Sequence, residues 1–254
     1  MKVLSFRLQG KMAHFRCYYS NSSALSHIIP PRTTVCGILA GMLGYERNSY
    51  YDDFSLANCR IAIASLAPIK KQIQKLNLLM IKKNNDLNGS QEHHSQTPTE
   101  LVLPQNIRTG IIDYQIWVHH TDDRMMERLE KLLQQSAVGY ASAGMPVSLG
   151  TAYNMGWLQY EGTFTGAEHS DDKVVAVSSV IPLKQLKSLD MAMNNGVVDY
   201  KLIKEDLPLE FDHARRLSQH GKGNMIINLY ATPVFARVEN YVQLNNDTVI
   251  TWMV

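Results

Sequence analysis

The chain has 254 residues, 45% of them hydrophobic and 19% charged, so it is long enough for one large domain or two small ones with buried cores. Its net charge of +2 is only mildly basic, and bulk charge therefore neither requires nor excludes a nucleic-acid partner. Three separated cysteines exclude a disulfide framework and lack zinc-ligand spacing, and no apolar run approaches the ~20 residues of a membrane span, so we expect a cytoplasmic protein without a membrane contact.

The first half of the chain carries the signals of a β-α-β-β-α-β unit. Alternating apolar residues predict strands at residues 2–9, 59–66 and 111–118, with 146–153 as the candidate for the fourth. Apolar residues that repeat every three or four positions predict helices at 33–43 and at 121–135, the second capped by Thr121. This succession is typical of the ferredoxin-like α+β fold, in which both helices pack on one face of an antiparallel sheet.

The start of the first predicted helix is a candidate anion site. Two prolines stop the preceding loop, Thr33 or Thr34 can cap the helix, and Gly44 is placed to end it. The free N–H groups of the first turn, the positive end of the helix dipole and Arg32 converge on one spot. Such a spot suits a phosphate, although composition alone leaves Arg32 equally well explained as a solvated surface arginine.

A long insertion, residues 67–110, separates the second and third predicted strands, where a short turn would suffice. Its first arm alternates apolar residues and carries five lysines and no acid, and its return arm brings an arginine back to the base: Lys70, Lys71, Lys75, Lys82, Lys83 and Arg108. A charge run is often only a solvated face, but the lack of paired acids favours contact with RNA or DNA. We predict a protruding basic β-hairpin that can grip a polyanion.

The second half is rich in short β-like runs separated by Gly, Asn and Asp turn signals. These runs cover residues 157–160, 174–180, 197–203, 225–230, 234–238, 241–244 and 249–253, and Asn245-Asn246-Asp247 predicts a hairpin turn. We therefore divide the chain into a ferredoxin-like domain, residues 1–153 with the insertion, and a β-rich C-terminal subdomain or extension of the sheet, residues 154–254. A basic loop from Arg215 to Lys222 is explained equally well as a hairpin connection or as a contact to RNA or a neighbouring subunit.

Three adjoining motifs carry a resemblance to a known family. They are Gly10-x-x-Ala13-His14-Phe15-Arg16, then Tyr18-Tyr19-Ser20-Asn21-Ser22, then Pro30-Pro31-Arg32-Thr33-Thr34-Val35-x-Gly37-Ile38-Leu39-Ala40. Together they resemble the Cas-five (Cas5) family of CRISPR-associated proteins, whose type I members cap one end of the Cascade surveillance complex, and the second and third motifs look most like type I-B members. The motifs cover about the first quarter of the chain, and the order of elements extends the agreement to about residue 160.

The resemblance implies an RNA-recognition-like fold in which residues 67–110 form a β-hairpin thumb. It implies a non-catalytic subunit of an antiviral complex that binds the 5′ handle of the CRISPR RNA (crRNA). It also implies contacts to the backbone (Cas-seven) subunit, to the large PAM-recognising subunit and to target DNA near the PAM. The handle site would be lined by polar, basic and aromatic residues, namely Arg16, Tyr18, Ser20, Asn21, Ser22, His27, Arg32, Thr33 and Thr34. These residue types suit phosphate, bases and 2′-hydroxyl groups, and no cofactor is implied.

One departure from RNA-recognition folds bears on where RNA would lie. Their aromatic signature on the sheet is absent, because Tyr114 and Trp117 of the third strand do not match it. We therefore expect RNA at the loop, the thumb and the helix end and not across the sheet. Tyr18 and Tyr19 point to opposite sides of an extended chain, so we expect one in the core, with Tyr18 the more suited to face outward.

The alternative function is a metal-independent endoribonuclease that processes precursor crRNA. Such cleavage needs a general acid or base near a 2′-hydroxyl, and the candidates in the right region are Lys11, His14, Tyr18 and His27. A metal centre is disfavoured, because the histidines of the pairs His93-His94 and His119-His120 point to opposite sides of an extended chain and no further ligand completes either site.

Overall fold

The computed structural model describes residues 1–20, 23–79, 84, 94–135, 142–144, 146–195 and 200–254. Its first half contains seven named strands and two helices within those residues: β1 (Lys2–Gly10), β2 (Phe15–Arg16), β3 (Ser26–His27), α1 (Arg32–Leu43), β4 (Cys59–Ser65), β5 (Ile69–Leu79), β6 (His94–Pro104), β7 (Ile112–His120) and α2 (Asp123–Gln134). The second half continues with β8 (Gly156–His169), β9 (Val175–Val177), β10 (Ile181–Pro182), β11 (Leu186–Leu189), α3 (Met191–Asn195), β12 (Leu202–Pro208), β13 (Lys222–Asn228), β14 (Val234–Val238), β15 (Tyr241–Leu244) and β16 (Val249–Ile250).

The predicted β-α-β-β-α-β succession is present as β1, α1, β4, β7, α2 and β8. Its strands are hydrogen-bonded in the order β8-β1-β7-β4, and all three pairings are antiparallel. Both helices bury their apolar faces in one hydrophobic core with the residues of the sheet that face them, among them Leu39 of α1, Leu129 of α2 and Phe6 of β1. The α+β class is therefore confirmed.

The prediction of a fourth strand at residues 146–153 is wrong, because the strand that completes this sheet is β8. Val147 and Leu149 are buried as their alternation suggested, but Gly150 adopts φ 92° and a turn closes from Asn154 N–H to the Thr151 carbonyl. A Cβ on Gly150 would stand 1.9 Å from the His14 carbonyl oxygen, so the chain needs glycine here to pass the neighbouring loop.

The N-terminal caps of both helices differ from the prediction, whereas the first helix ends at the predicted glycine. Pro31 is the N-cap of α1 and gives no side-chain cap, so neither Thr33 nor Thr34 caps the helix, while Gly44 ends it in the left-handed conformation at φ 82°. Asp122, and not Thr121, caps α2 by accepting the Arg124 N–H. No helix within the described residues is long and apolar enough to cross a membrane.

The predicted insertion forms a long antiparallel hairpin of β5 and β6. Ile69 is paired with Pro104 at its base, and Leu79 is paired with His94 at the other end of the ladder. Its base is part of the protein core, because Ile69, Leu101, Val102 and Leu103 are all buried. Outside the hairpin, Ala13 exchanges two backbone hydrogen bonds with Val102, so the loop after β1 pairs with β6. The base is thus held on both sides, and the residues of β5 beyond it, 72–75, are exposed.

The second half is continuous with the first. Within the described residues a nine-stranded sheet runs in the order β11-β14-β9-β16-β15-β8-β1-β7-β4, and β8 joins its two parts by pairing with β1 along its first section and with β15 along its last. The main core contains Leu207 and Met225 beside the residues of α1 and β7, so both halves contribute to it, while a further cluster that includes Val177, Val234 and Tyr241 lies within the second half.

Residues of the second half also cover the face of the sheet that lies away from the helices. Val242, Leu244, Ile250 and Trp252 pack there against Val3 and Trp117, while Tyr114 is buried on the helix side. The strands predicted at 234–238 and 241–244 are confirmed with their bounds, and Asp247, at φ 65°, lies in the predicted turn between β15 and β16. The strands found at the other predicted runs have different bounds from those predicted, and the run at 197–203 begins outside the described residues.

Arg32 begins α1 and is buried, with 1% of its surface exposed. Its guanidinium donates hydrogen bonds to four backbone carbonyls: Nη1 to Leu209 at 2.8 Å, and Nη2 to Phe54, Ser55 and Cys59 at 2.5–2.8 Å. These carbonyls belong to the segment before β4 and to the end of β12, so one cation joins three parts of the chain. The prediction of a solvent-facing phosphate ligand at this position is wrong, because the side chain is buried and both terminal nitrogens donate to the protein backbone.

Replacing Arg32 should therefore cost stability. We expect Arg32→Ala to lower the free energy of unfolding by about 3 kcal/mol or more, because several buried carbonyls lose a charged donor at about 1–3 kcal/mol each. Arg32→Lys should recover only part of the loss, because an ammonium cannot reproduce the planar fork. Urea unfolding followed by circular dichroism measures this, with the exposed Arg124→Ala as control; an Arg32→Ala variant as stable as that control would contradict the assignment.

Candidate nucleic-acid interface

The polar loop between β1 and α1 lies against the base of the hairpin. Its short strands β2 and β3 pair with each other, the Ala24 N–H donates to the Pro98 carbonyl, and the Glu100 N–H donates to the Ala24 carbonyl. The Glu100 carboxylate accepts the Ser26 N–H at 2.9 Å. The loop is thus an ordered strip beside β6, and its outward residues have a defined position.

An exposed aromatic and basic surface lies where this loop meets β12 and β13. Tyr18 and Tyr19 are 42% and 55% exposed. Their ring centroids are 5.1 Å apart, and the edge of one ring meets the face of the other. Arg16 is exposed and donates to the Ser20 carbonyl at 3.3 Å, and Lys222 of β13 stands close to Tyr18 and pairs with Asp206 at 2.7 Å. We call Arg16, Tyr18, Tyr19 and Lys222 the loop surface. Its planar rings and cations suit the bases and phosphates of single-stranded RNA.

Two predicted contact residues lie beneath this surface and not on it. Ser20 is buried, and its hydroxyl donates to the Cys17 carbonyl at 2.9 Å. His27 has 0% of its surface exposed and lies under the Tyr19 ring, with centroids 6.3 Å apart. The prediction that His27 contacts RNA is therefore wrong, because its β3 position points it into the protein. Both residues shape the loop from below.

A buried network of charges fixes the loop to the hairpin and to β12. Glu205 accepts the Ile28 N–H, lies 3.0 Å from Lys71 Nζ and 3.8 Å from His27 Nδ1, and Lys71 also pairs with Glu100 at 3.4 Å. Burial lowers the pKa of His27, but the Cys17 thiol and Glu205 raise it more, to about 9. Burial raises the pKa of Glu205, but His27, the Ile28 N–H and Lys71 bring it below its ordinary value.

The network changes the prediction for the hairpin lysines. Lys71 is half-buried and neutralised by two acids, so it holds the structure together and is not free for a polyanion. Lys70 donates to the Gln105 carbonyl, while Lys75 and Arg108 are exposed, as a nucleic-acid contact requires. The predicted contacts Asn21, Ser22, Lys82 and Lys83 lie outside the described residues.

Thr33 and Thr34 line a cavity of about 360 Å³ at the start of α1. Arg32 also contributes to its wall, and the other side is formed by aromatic residues before β4 and by the connection between β12 and β13. The helix start and the loop surface are therefore separate features: of the predicted handle-site residues, Arg16 lies on the loop surface, while Arg32 is buried at the helix start.

Sequence reasoning misjudged Tyr19 and could not assign Lys222. The alternation rule placed one tyrosine in the core, but residues 18 and 19 lie in a turn after β2, where both rings can face outward. Lys222 was visible only as the end of a basic loop. Its partner Asp206 is brought to it by the pairing of β12 with β13, and its neighbour Tyr18 comes from the turn after β2.

The histidines named as nuclease candidates are not at the surface. His14 is buried, and its Nδ1 lies 2.8 Å from the Glu100 carbonyl oxygen, to which it can only donate. His27 is enclosed as described, which leaves Tyr18 and Lys11 as the exposed members of the set. Across the part of the chain that the structure describes, no three side chains of His, Cys, Asp or Glu are grouped as metal ligands.

Comparison with known families finds one match. The model for CRISPR-associated protein (Cas_Cas5) matches residues 3–137, just over half of the chain. This region runs from β1 to the residues that follow α2 and so includes the loop surface residues before α1, the helix start and the hairpin. No curated protein matches the chain.

Solved structures share the fold at low sequence identity. A CRISPR protein from Archaeoglobus fulgidus is 10% identical, with a TM-score of 0.59 over 98% of both chains. A chain of a CRISPR RNA-guided surveillance complex is 13% identical, with a TM-score of 0.47 over 92% of this chain and 91% of that one. At such identities the first of these likenesses supports a common fold across both halves and nothing finer.

The charge network predicts a pH dependence of stability. His27 has its folded pKa raised from about 6.5 to about 9, so its contribution is fully present below pH 6.5 and is lost as the pH rises through 9. We expect the wild-type free energy of unfolding to fall by up to about 3 kcal/mol between pH 6.5 and 9.5 from this group. Glu205→Gln should flatten that fall, because the carboxylate that favours charged His27 is gone.

Urea unfolding at several pH values, with an NMR titration of the His27 ring, measures both quantities. Glu239→Gln, an exposed glutamate elsewhere, serves as control and should keep the wild-type slope. An unchanged slope in Glu205→Gln would show that this pairing does not set the protonation of His27.

Proposed function

The chain belongs to the Cas5 family of CRISPR-associated proteins, and we propose that it is a non-catalytic subunit of a type I CRISPR RNA-guided complex. In this role it binds the 5′ handle of the crRNA and caps the protein backbone that follows the guide. The backbone (Cas-seven) subunit, the large PAM-recognising subunit and target DNA near the PAM are its proposed partners, and the assembly is proposed to act in the cytoplasm.

The observation that carries the proposal is the loop surface. Two adjacent tyrosines of the loop are exposed with their rings in contact, and the cations Arg16 and Lys222 stand beside them. Stacking on an aromatic ring contributes about 1–3 kcal/mol per base in single-stranded complexes, and Arg16 and Lys222 can approach the phosphates. The buried network beneath holds the surface in place before RNA arrives, which reduces the ordering cost of binding.

Two observations favour binding over cleavage as the activity. The only described histidines in the family-matched loop, His14 and His27, are buried, and His14 has its Nδ1 occupied by a backbone carbonyl. A general base must come within hydrogen-bond reach of the proton that it removes.

The hairpin supports a role in assembly. Its base is fixed in the core, but Ile73 on β5 is 61% exposed, and its neighbours from residue 72 to 75 are exposed as well. An arm with a rigid base and an exposed apolar residue can contact RNA and an adjacent subunit together. The distal part can be removed without touching the core, which makes it a separable element.

RNA binding by the loop surface can be tested with variants of exposed residues. Arg16→Ala and Tyr18→Ala should each weaken binding of labelled repeat RNA by about 1–3 kcal/mol, the range for a charge-assisted contact or a stacked base. Arg16→Ala should also make the plot of log K against log salt concentration less steep. Its slope should change by about 0.7, the value for one phosphate contact on a single strand. Fluorescence anisotropy over a salt series gives both numbers, and Arg124→Ala on α2 is the matched control.

A denaturing gel of the same mixtures, with chelator present, reports cleavage. Uncut RNA with the affinity losses described agrees with a binding subunit. A discrete cut within the repeat would establish the alternative, a metal-independent endoribonuclease that processes precursor crRNA. Equal affinities for Arg16→Ala and Arg124→Ala would remove the loop surface from the RNA site.

The hairpin is tested by a deletion placed above its buried base. Joining Lys75 to Pro98, which face each other in the ladder, through an Asn-Gly turn keeps Ile69, Val102 and the contacts of Ala24. We expect a variant with wild-type thermal stability that binds repeat RNA more weakly and is not incorporated when co-expressed with the other subunits. Normal incorporation measured by affinity purification would contradict the thumb assignment.

A further inference from the structure

The geometry points to a second RNA subsite, in which the cavity at the start of α1 takes one unpaired ribonucleotide, with its base inside and its phosphate at Arg215. This inference rests on the proposed RNA-binding function and adds a place where one nucleotide is read. The cavity, about 360 Å³, lies within the range of about 300–1,000 Å³ typical of small-molecule sites. Its lining includes Thr33, Thr34, Tyr50, Tyr51, Phe211 and Arg215.

The walls of the cavity are aromatic and preformed. Tyr50 and Tyr51 are stacked with centroids 4.8 Å apart, and Tyr50 meets the Phe54 ring edge to face at 6.2 Å. Phe211 lines the cavity from the opposite segment. Tyr51 also donates its hydroxyl to Asn48, so its ring is fixed at both ends. Flat apolar walls of this kind accept a planar base without regard to its identity.

Polar groups supply the other requirement of a nucleotide. Arg32 lines the cavity, is 1% exposed, and its Nε has no hydrogen-bond partner among the described residues, although its terminal nitrogens are all directed to carbonyls. A buried N–H without a partner is costly, and an acceptor on a bound molecule would satisfy it. The Thr33 and Thr34 side chains are partly exposed beside it and can hydrogen-bond a base edge or a 2′-hydroxyl.

The mouth of the cavity presents a cation in a strained conformation. Arg215 adopts φ 59°, which is unusual for an arginine, and its Nε donates to Asn48 Oδ1, whose own residue lies at φ 68°. Two left-handed residues from distant loops are thus joined across the opening. Arg215 is exposed, and within the described residues its other guanidinium nitrogens have no hydrogen-bond partner, so they can bind a phosphate oxygen. His213 pairs with Asp52 beside it, and that carboxylate raises the pKa of His213.

The cavity is connected to the loop surface by one structural element. Lys222 pairs with Pro208 at the base of an arm formed by residues 209–221, and Phe211 bridges Leu217 near its tip, where Arg215 lies. The three steps along the chain from residue 208 to residue 211 span about 10 Å at the strand rise of about 3.3 Å per residue. A single strand stacked at Tyr18 therefore reaches Arg215 along this arm within a few nucleotides.

The two basic segments that sequence analysis treated separately thus meet at one place. The helix start supplies the cavity floor, and the Arg215-Lys222 loop supplies its mouth and the path to Tyr18. A neutral small molecule would use the aromatic walls but not Arg215, and a free anion would use Arg215 but not the walls. A ligand with both parts accounts for the aromatic walls and for Arg215, while the carboxylate of Glu210, which also lines the cavity, accepts the Leu56 N–H and the Ser218 hydroxyl.

Photo-crosslinking of the full chain tests the subsite. The probe is a pool of random 12-nucleotide single-stranded RNAs that carry 4-thiouridine in place of uridine, with a matched DNA pool carrying 4-thiothymidine. After irradiation, mass spectrometry locates the crosslinked peptides, while anisotropy measures total binding. We expect crosslinks in the peptides that hold Tyr50 and Tyr51 or residues 211–217, and at least a fivefold loss of those crosslinks in Arg215→Gln.

Arg216→Gln is the matched control, because Arg216 is adjacent and exposed but is not part of the cavity lining. It should keep the cavity crosslinks within twofold, and Tyr51→Leu, which retains an apolar side chain, should lower them. RNA that binds but crosslinks only at residues 15–20 or the hairpin overturns the subsite and leaves the proposed function standing. Stronger cavity crosslinks with DNA than with RNA overturn the ribonucleotide assignment, and no RNA binding overturns both.

Discussion

The buried guanidinium of Arg32 is the interaction on which the arrangement of this molecule depends. Three segments end near one another at the start of α1, and their carbonyls would face a low-dielectric interior without donors. One planar cation satisfies four of them, which a compact ammonium cannot do. The same contacts hold the segment before β4 apart from the end of β12, and the space between them is the aromatic cavity. Arg32, an arginine of the kind that often binds phosphate, thus helps to form the cavity through its hydrogen bonds to the backbone.

Local signals in the sequence were sufficient for much of the architecture. The helical period of α1, the left-handed Gly44 at its end and the alternation along β5 depend on neighbours within a few positions, and each was recovered. The roles of Arg32 and His27 were not recoverable in this way, because their burial depends on Leu209 and Glu205, which lie near residue 30 only in the folded chain. Arginine and histidine in a polar loop look alike whether they face solvent or backbone.

The distribution of charge explains how a mildly basic chain can still present a nucleic-acid surface. The charges of Lys71 and His27 are neutralised by Glu205 and Glu100. These ion pairs hold the loop and the hairpin in position. Exposed cations include Arg16 on the loop surface, Lys75 on β5 and Arg215 at the tip of the β12–β13 arm. Net charge therefore underestimates the local field, since the buried groups are paired and contribute little at a distance.

The pairing of β8 with both parts of the large sheet has a consequence for synthesis on the ribosome. β1 has β7 on one side, but its other edge waits for β8, which emerges about 150 residues later. Until then an apolar strand with an open edge is exposed, a state that favours pairing with other chains. Because β8 also pairs with β15, the pairing of β8 with β1 brings the last strands of the chain to the sheet at the same time. The nascent first half is thus a natural client for chaperones, and co-expressed fragments cut within β8 should aggregate.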